Sequence, residues 1–304
     1  MQRPVHTYSI VARDPKTGEL GVAVQSHWFS VGSIVSWAEA GVGAVATQSF
    51  VDPAYGPRGL ELMGSGMSAP QTLKSLLASD AGRAVRQVAM VDSQGRLAAH
   101  TGEKCIQWAG HHIGENYSCQ ANMMLNERVV PSMAKAFEAE PGDLAQRLLA
   151  ALEAAQESGG DIRGQQSAAI LVVKGTSTGR VWEDRILDLR VEDHPAPVRE
   201  LRRLVTVQSA YRHMNAGDAA METGDMESAL REYAAAAKLV PENLEVVYWN
   251  AITLATNGQL EAALPLFQRV FAKDRNWIIL TERLPQADLL SNQLAERILK
   301  EARR

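Results

Sequence analysis

An α+β domain, with sheets packed on each other and helices covering the outside, followed by an all-helical repeat domain, is the fold predicted for this 304-residue sequence. Two observations predict it. Up to about residue 190 the elements run strands, helices, strands, helices, strands, which is the order of a layered α+β architecture and not of a doubly wound one. After Asp193-His194-Pro195-Ala196-Pro197 the strand signal ends, and a helical pattern with a period of 34 residues takes over. The length suits two ordinary domains, drawn here as 1–194 and 195–304.

The elements follow in order. Val5–Ala12 and Leu20–Ser26 are β-rich runs, joined by a segment whose Asp14, Pro15 and Gly18 are turn residues, so they read as a hairpin. Val31–Trp37 and Gly43–Ser49 are two further strands after glycine turns. Small residues at Gly21, Ala23, Gly43, Ala44 and Ala46 imply strands packed closely on both faces. Ser68-Ala69-Pro70-Gln71 combines an N-cap serine, a first-turn proline and a capping-box glutamine, which predicts a helix over 69–79. Val85–Asp92 and Arg96–His100 form a second hairpin around Ser93-Gln94-Gly95, with His100 and Asp92 placed to pair across it. Tyr117–Asn122 is a short strand, helices follow over about 127–139 and 143–157, and Gln166–Val173 and Arg180–Leu189 close the domain as strands.

Beyond residue 198, Gly224, Ala229, Leu230 and Tyr233 meet Gly258, Ala263, Leu264 and Phe267 at the 34-residue offset. A helix–turn–helix unit with small residues at the crossing and an aromatic one turn later resembles a tetratricopeptide repeat. The first unit, about 210–243, carries Gly217, Ala236 and Pro241 at the expected places. The second, about 244–277, is weaker, with Arg275 where proline is usual, and 285–302 is expected as a polar capping helix. Leu260, Leu264, Phe267 and Phe271 on one helix predict apolar company and a homodimer.

Composition excludes several classes. Net charge is −4, and residues 1–194 hold 17 basic against 21 acidic side chains, so no nucleic-acid or membrane-surface binder is expected. The uncharged stretch 20–38 is broken by Gln25, Ser26, His27, Ser30, Ser33 and Ser36 and reads as strand, not as a membrane span. Two cysteines, Cys105 and Cys119, exclude a disulfide-stapled fold and suit a reducing cytoplasm. They read as small core hydrophobes. His111-His112 lacks metal-ligand spacing, Gly41-Val42-Gly43 is no dinucleotide fingerprint, and no motif demands a metal or cofactor.

Several segments carry a family resemblance. They are Thr7-Tyr8-Ser9-Ile10-Val11-Ala12-Arg13-Asp14-Pro15, Gly18–Val24, Ala40–Gln48, Tyr55-Gly56-Pro57-Arg58-Gly59, Ala99-His100-Thr101-Gly102, Gln120-Ala121-Asn122-Met123 and Gly159–Ser167. In this order, over about residues 6–175, the sequence resembles the DUF1028 family, which is similar to N-terminal nucleophile hydrolases. The resemblance implies a four-layer αββα sandwich, two antiparallel sheets stacked between helical layers, with the helical repeats as an extension. It also implies a chemistry in which a residue opening the first strand attacks an amide carbonyl, its own α-amine acting as base.

On that implication Thr7 is the candidate nucleophile, once residues 1–6 are cut away. Ser9 lies two residues on, pointing the same way, and Asn122 is placed to donate to an oxyanion. Gln48 leads out of the fourth strand, followed by Ser49 and Asp52, where Asp52 equally starts a turn. Asp161 and Arg163, in a glycine-rich loop, form either a carboxylate clamp for substrate or an ion pair that staples the loop. The leading reading is an amidohydrolase or acyl-transfer enzyme acting on a small amide or peptide-like substrate. The alternative is a non-catalytic ligand-binding or assembly protein whose repeats recruit a protein partner.

Overall fold

The computed structural model describes residues 7–302, and the chain divides into two compact units between Val205 and Thr206. The first unit runs β1 (Thr7–Arg13), β2 (Leu20–Ser26), β3 (Ser36–Glu39), β4 (Gly43–Ser49), α1 (Tyr55–Gly64), α2 (Ala69–Ser79), β5 (Arg86–Asp92), β6 (Leu97–Thr101), β7 (Gly110–Gly114) and β8 (Tyr117–Ala121). It continues with α3 (Val129–Ala139), α4 (Leu144–Glu157), β9 (Ser167–Val173), the single turn α5 (Val181–Asp184) and β10 (Arg185–Val191). The strands form a six-stranded sheet, β10-β9-β2-β1-β8-β7, and a four-stranded sheet, β3-β4-β5-β6. Neighbouring strands pair antiparallel throughout.

Side-chain alternation sorts each strand's residues between two cores. Tyr8, Ile10 and Ala12 of β1 pack with Ala23, Cys119, Ile170 and the apolar stripes of α3 and α4. Val11 points the other way and joins Val22, Val24 and Leu171 against Ala44, Ala46, Ala89 and Val91 of the four-stranded sheet. Val45, Val88 and Met90, on the far face of that sheet, meet Leu60 and Met63 of α1 and Leu73 of α2. The small residues have a steric reason. A Cβ on Gly21 would stand 2.7 Å from Leu148 of α4, and one on Gly56 would fall 2.3 Å from the Trp37 ring.

The Ser68–Gln71 capping box forms as read, as does an equivalent box between Asp143 and Gln146 at the start of α4. Other expectations are corrected. Val31–Trp37 is not one strand: Val31–Ser33 is a 3-10 turn entered from a left-handed Ser30, and the strand starts at Ser36. Ser167 Oγ accepts from Val31 N–H there, so a side chain replaces the missing ladder bond. Arg180–Leu189 is a helical turn followed by a strand that begins at Arg185, because the Asp184 carboxylate folds the chain back onto Ser177 and Thr178. His100 lies opposite Val88 and hydrogen-bonds the Arg83 carbonyl, while Asp92 holds Arg96 and the Ala69 N–H. Helix α1 and strand β7 were not anticipated. Two glycines and a proline weaken the helical signal of Tyr55–Gly59, and the glycines let Trp37 and Met90 pack closely on α1.

At the start of α1, Tyr55 and Arg86 both bond Asp80. Burial pushes the Asp80 carboxyl up, but hydrogen bonds from Arg86, the Gly82 N–H and Tyr55 more than offset this and hold it below its ordinary value of 3.8. A depressed carboxylate contributes stability that is present above its unfolded-state value and lost as pH falls through the folded one. Asp80→Asn is therefore expected to destabilise the protein by roughly 1–2 kcal/mol at pH 7. The gap between variant and wild type should close below about pH 4, as read from urea melts across pH. A gap that persists at low pH would refute this assignment.

The second unit is all helical. Helix α6 (Pro197–Glu222) supplies its first helix from Thr206 on, followed by α7 (Met226–Leu239), α8 (Leu244–Thr256), α9 (Leu260–Lys273), α10 (Asn276–Arg283) and α11 (Asn292–Ala302). Gly224 and Gly258 end the first helix of each repeat with φ of 77° and 76°, the left-handed conformation that glycine adopts without penalty. Ala229, Tyr233, Ala263 and Phe267 are all buried at the crossings. A Cβ on Gly217 would stand 2.7 Å from the Tyr233 ring, so α6 and α7 need glycine where they cross. The expected capping helix is shorter than 285–302: a 3-10 turn over Leu284–Ala287, led by Pro285, and a left-handed Asp288 intervene. Leu260, Phe267 and Phe271, the side chains from which a homodimer is expected, are buried within this unit's own core, with Leu264 packed beside them. Among the described residues no helix is long and apolar enough to cross a membrane.

Candidate functional site

Thr7 opens β1 and is fully buried. Ser26 of β2 lies opposite it in register, and Ser167 of β9 lies opposite Ser26. On the other side Asn122, one residue past β8, donates its N–H to the Thr7 carbonyl at 3.1 Å. Directly paired and alternate residues share a face. Thr7, Ser9, Ser26, Ser118, Gln120 and Ser167 therefore lie on the face that carries Val11, Val22 and Val24, toward the four-stranded sheet. From that sheet Gln48, Gln87 and Thr101 form one register row. The apolar layer between the sheets thus turns polar at one end.

The two polar rows are stitched together. Ser9 Oγ donates to Gln48 Oε1 at 2.6 Å, and Gln120 Nε2 donates to Ser9 Oγ at 2.6 Å. Gln48 Nε2 reaches Gln87 Oε1 at 2.7 Å and the Thr7 carbonyl at 3.2 Å. Asn122 Nδ2 donates to the same Gln87 oxygen at 2.8 Å. Gln87 Nε2 then serves Thr101 Oγ1 and the Gly110 and Ala121 carbonyls, at 2.9, 3.1 and 2.9 Å. Thr101 Oγ1 lies 2.9 Å from His111 Nδ1, where burial, and then the nearby His100, lower the imidazole pKa and favour the neutral ring. Ser49 and Met123, which follow Gln48 and Asn122, hold φ of 68° and 58°. Non-glycine residues in that region cost about 1–3 kcal/mol each and collect at functional sites.

A family model for DUF1028, a family of unknown function, matches residues 7–201. The chain belongs to the DUF1028 family. A tetratricopeptide-repeat model matches residues 220–280 of the helical unit. Among solved structures the chain is similar to the DUF1028 protein SPO2555 from Silicibacter pomeroyi, at 31% identity and a TM-score of 0.59, over 66% of this chain and 84% of that one. No curated protein matches the chain.

Within the DUF1028 unit the sequence-derived candidates fall into two groups at the same end. Thr7, Ser9, Gln48 and Asn122 belong to the buried network above. Asp161 and Arg163 sit beside it in a loop tied to the end of β8: Leu125 N–H donates to the Gly160 carbonyl and Ile162 N–H to the Met123 carbonyl. The Asp161 carboxylate accepts from His27 N–H at 3.1 Å, next to Ser26. It also accepts from Arg163 N–H, Nε and Nη2 at 2.9, 3.1 and 2.7 Å. Those four bonds use the acceptor positions of a carboxylate and tie the loop to the end of β2, an arrangement common to a loop staple and to an Asp161 that orients the Arg163 guanidinium. Asp52 is a turn former, its Oδ1 accepting from Ala54 N–H.

Sequence reading missed Ser26, Gln87, Gln120 and Ser167. The signal was a glutamine or serine at a period-2 position in an otherwise apolar strand. Hydroxyls and carboxamides dominate this end of the DUF1028 unit; they donate and accept hydrogen bonds but do not titrate near neutrality. Cys119, buried, and Cys105, half-buried, are free thiols whose pKa values burial pushes up, which disfavours the nucleophilic thiolate. Among the described residues no group of three or more His, Cys, Asp or Glu side chains is placed to hold a metal ion.

Proposed function

We propose that the DUF1028 unit is a four-layer αββα hydrolase of N-terminal nucleophile type, working in a reducing cytoplasm on a small amide or peptide-like substrate. The observation that carries this reading is the position of Thr7: in a central strand, at the polar end of the space between the sheets, held by its carbonyl to Asn122 and Gln48. The groups bonded to the Thr7 carbonyl are amides, which do not act as bases, and a freed threonine α-amine, with a pKa of about 7.7–8.0, supplies a general base beside Oγ1. Cleavage between His6 and Thr7 exposes it; residues 1–6 lie outside the described residues. The amine takes the Oγ1 proton as Oγ1 attacks the substrate carbonyl, and Asn122, oriented by Gln87, stabilises the oxyanion. The proton passes to the departing amine, and water then hydrolyses the ester left on Thr7.

The test is the intact mass and N-terminal sequence of tag-free protein. A chain beginning at Thr7 is the expected result, and a stable population that keeps residues 1–6 through purification and incubation would overturn the mechanism. A second reading, recruitment of a partner protein by the helical repeats, is favoured by a groove in the second unit; repeats of this class generally serve protein interaction.

A further inference from the structure

The groove lies between α6 and α8 and has a volume of about 540 Å³. That is within the roughly 300–1,000 Å³ of sites that bury a drug-sized ligand, enough for a short peptide segment. Its polar lining has one sign of charge. Asp218 and Glu222 come from α6 and Glu245 from α8, with no Lys, Arg or His among the lining residues. Tyr211, Tyr233 and Trp249 supply aromatic surface beside them.

Two of the three carboxylates are oriented by the aromatics. The Tyr233 hydroxyl donates to Asp218, and the Tyr211 hydroxyl donates to Glu245. Burial and then the Asp218 hydrogen bond push the Tyr233 phenol up, so it stays a donor. The Glu245 hydrogen bond, first, does the same for Tyr211. An ionised carboxylate offers about four acceptor positions, and one phenol leaves room for a bidentate guanidinium or an ammonium. Trp249 is half-buried in the same groove, and a cation over an indole face gains further attraction. An acidic or neutral segment would leave three carboxylates without a counter-charge.

We infer that this groove binds a partner-protein segment bearing arginine or lysine, its cationic side chain seated between Asp218, Glu222 and Glu245 and against Trp249. The inference rests on the reading of the repeats as a protein-binding module and is independent of the hydrolase chemistry.

The probe is a displayed library of random twelve-residue peptides, selected on the full chain and, in parallel, on a Glu222→Gln/Glu245→Gln variant. Circular dichroism checks that the variant is folded, and Asp218→Asn serves as a second variant if it is not. The expected result is enrichment of sequences with Arg or Lys, whose Kd, measured on synthesised peptides by anisotropy, rises at least tenfold in the variant and rises with salt. Enrichment of sequences without a cationic residue, or unchanged affinity in the variants, overturns the charge assignment while leaving the repeats a binding module. Absence of any enriched peptide overturns both. Binding of choline with the same dependence on Glu222 and Glu245, but of no peptide, overturns docking of a partner segment.

Discussion

Thr7→Ala is expected to abolish amide hydrolysis in a chain that begins at Thr7, with a fall on the order of 10⁵–10⁶-fold in kcat, the scale on which removal of a hydrolase nucleophile acts. Thr7→Ser, which keeps a hydroxyl on the same α-amine, should retain a measurable fraction. The stability of the Thr7→Ala protein should change far less than its rate. The pH profile separates this mechanism from others. The base must be the neutral amine, so kcat/KM should rise with pH through about 7.7–8.0 and level off above it. A chain extended by even one residue before Thr7 has an amide in place of the amine and should be inactive at every pH. Hydrolysis that survives both Thr7→Ala and the extension would exclude Thr7 as the nucleophile.

Gln87→Leu is expected to cost about 3–5 kcal/mol of stability, because the side chain is a hub. Its oxygen accepts from Gln48 and Asn122, and its nitrogen donates to Thr101 and to the Gly110 and Ala121 carbonyls. Truncating it to an apolar group takes an acceptor from Asn122 across the buried layer and from Gln48 on the neighbouring strand, and a donor from the Gly110 and Ala121 carbonyls, at roughly 1–3 kcal/mol for each group left unsatisfied. Adding Gln48→Leu removes one stranded donor, so the double variant should be more stable than the sum of the singles predicts. Urea denaturation measures all three. A single-variant loss under about 1 kcal/mol, or strict additivity, would show that the network does not couple these side chains as the bonds indicate.

Much of the molecule is legible in the sequence because the signals are local. The Ser68-to-Gln71 capping box, the Asp14-to-Gly18 turn and the strand periodicities of β1, β2, β4, β5, β8 and β9 each depend on residues within a few positions of one another. The recurrence of Gly224, Ala229 and Tyr233 at Gly258, Ala263 and Phe267, 34 residues on, is legible because each repeat reuses the same short-range pattern. Helix α1 was not legible, since its glycines and proline weaken the helical signal, while Gly56 and Gly59 let the Trp37 ring and Met90 pack closely. The site was legible only in part. Thr7, Ser9 and Asn122 became candidates through the family resemblance and Gln48 through its place at the end of a strand, but nothing near Thr7 in the chain announces Ser26, Gln87 or Ser167.

The tertiary structure alone decided what each of those groups meets. Gln48 finds Ser9 across 39 residues and Gln120 finds Ser9 across 111, because facing sheets bury polar side chains where only another strand's polar group can satisfy them. The same cause places Asp161: the N–H of His27, 134 residues away, donates to its carboxylate beside the Arg163 pair, a contact that nothing in its own glycine-rich loop announces.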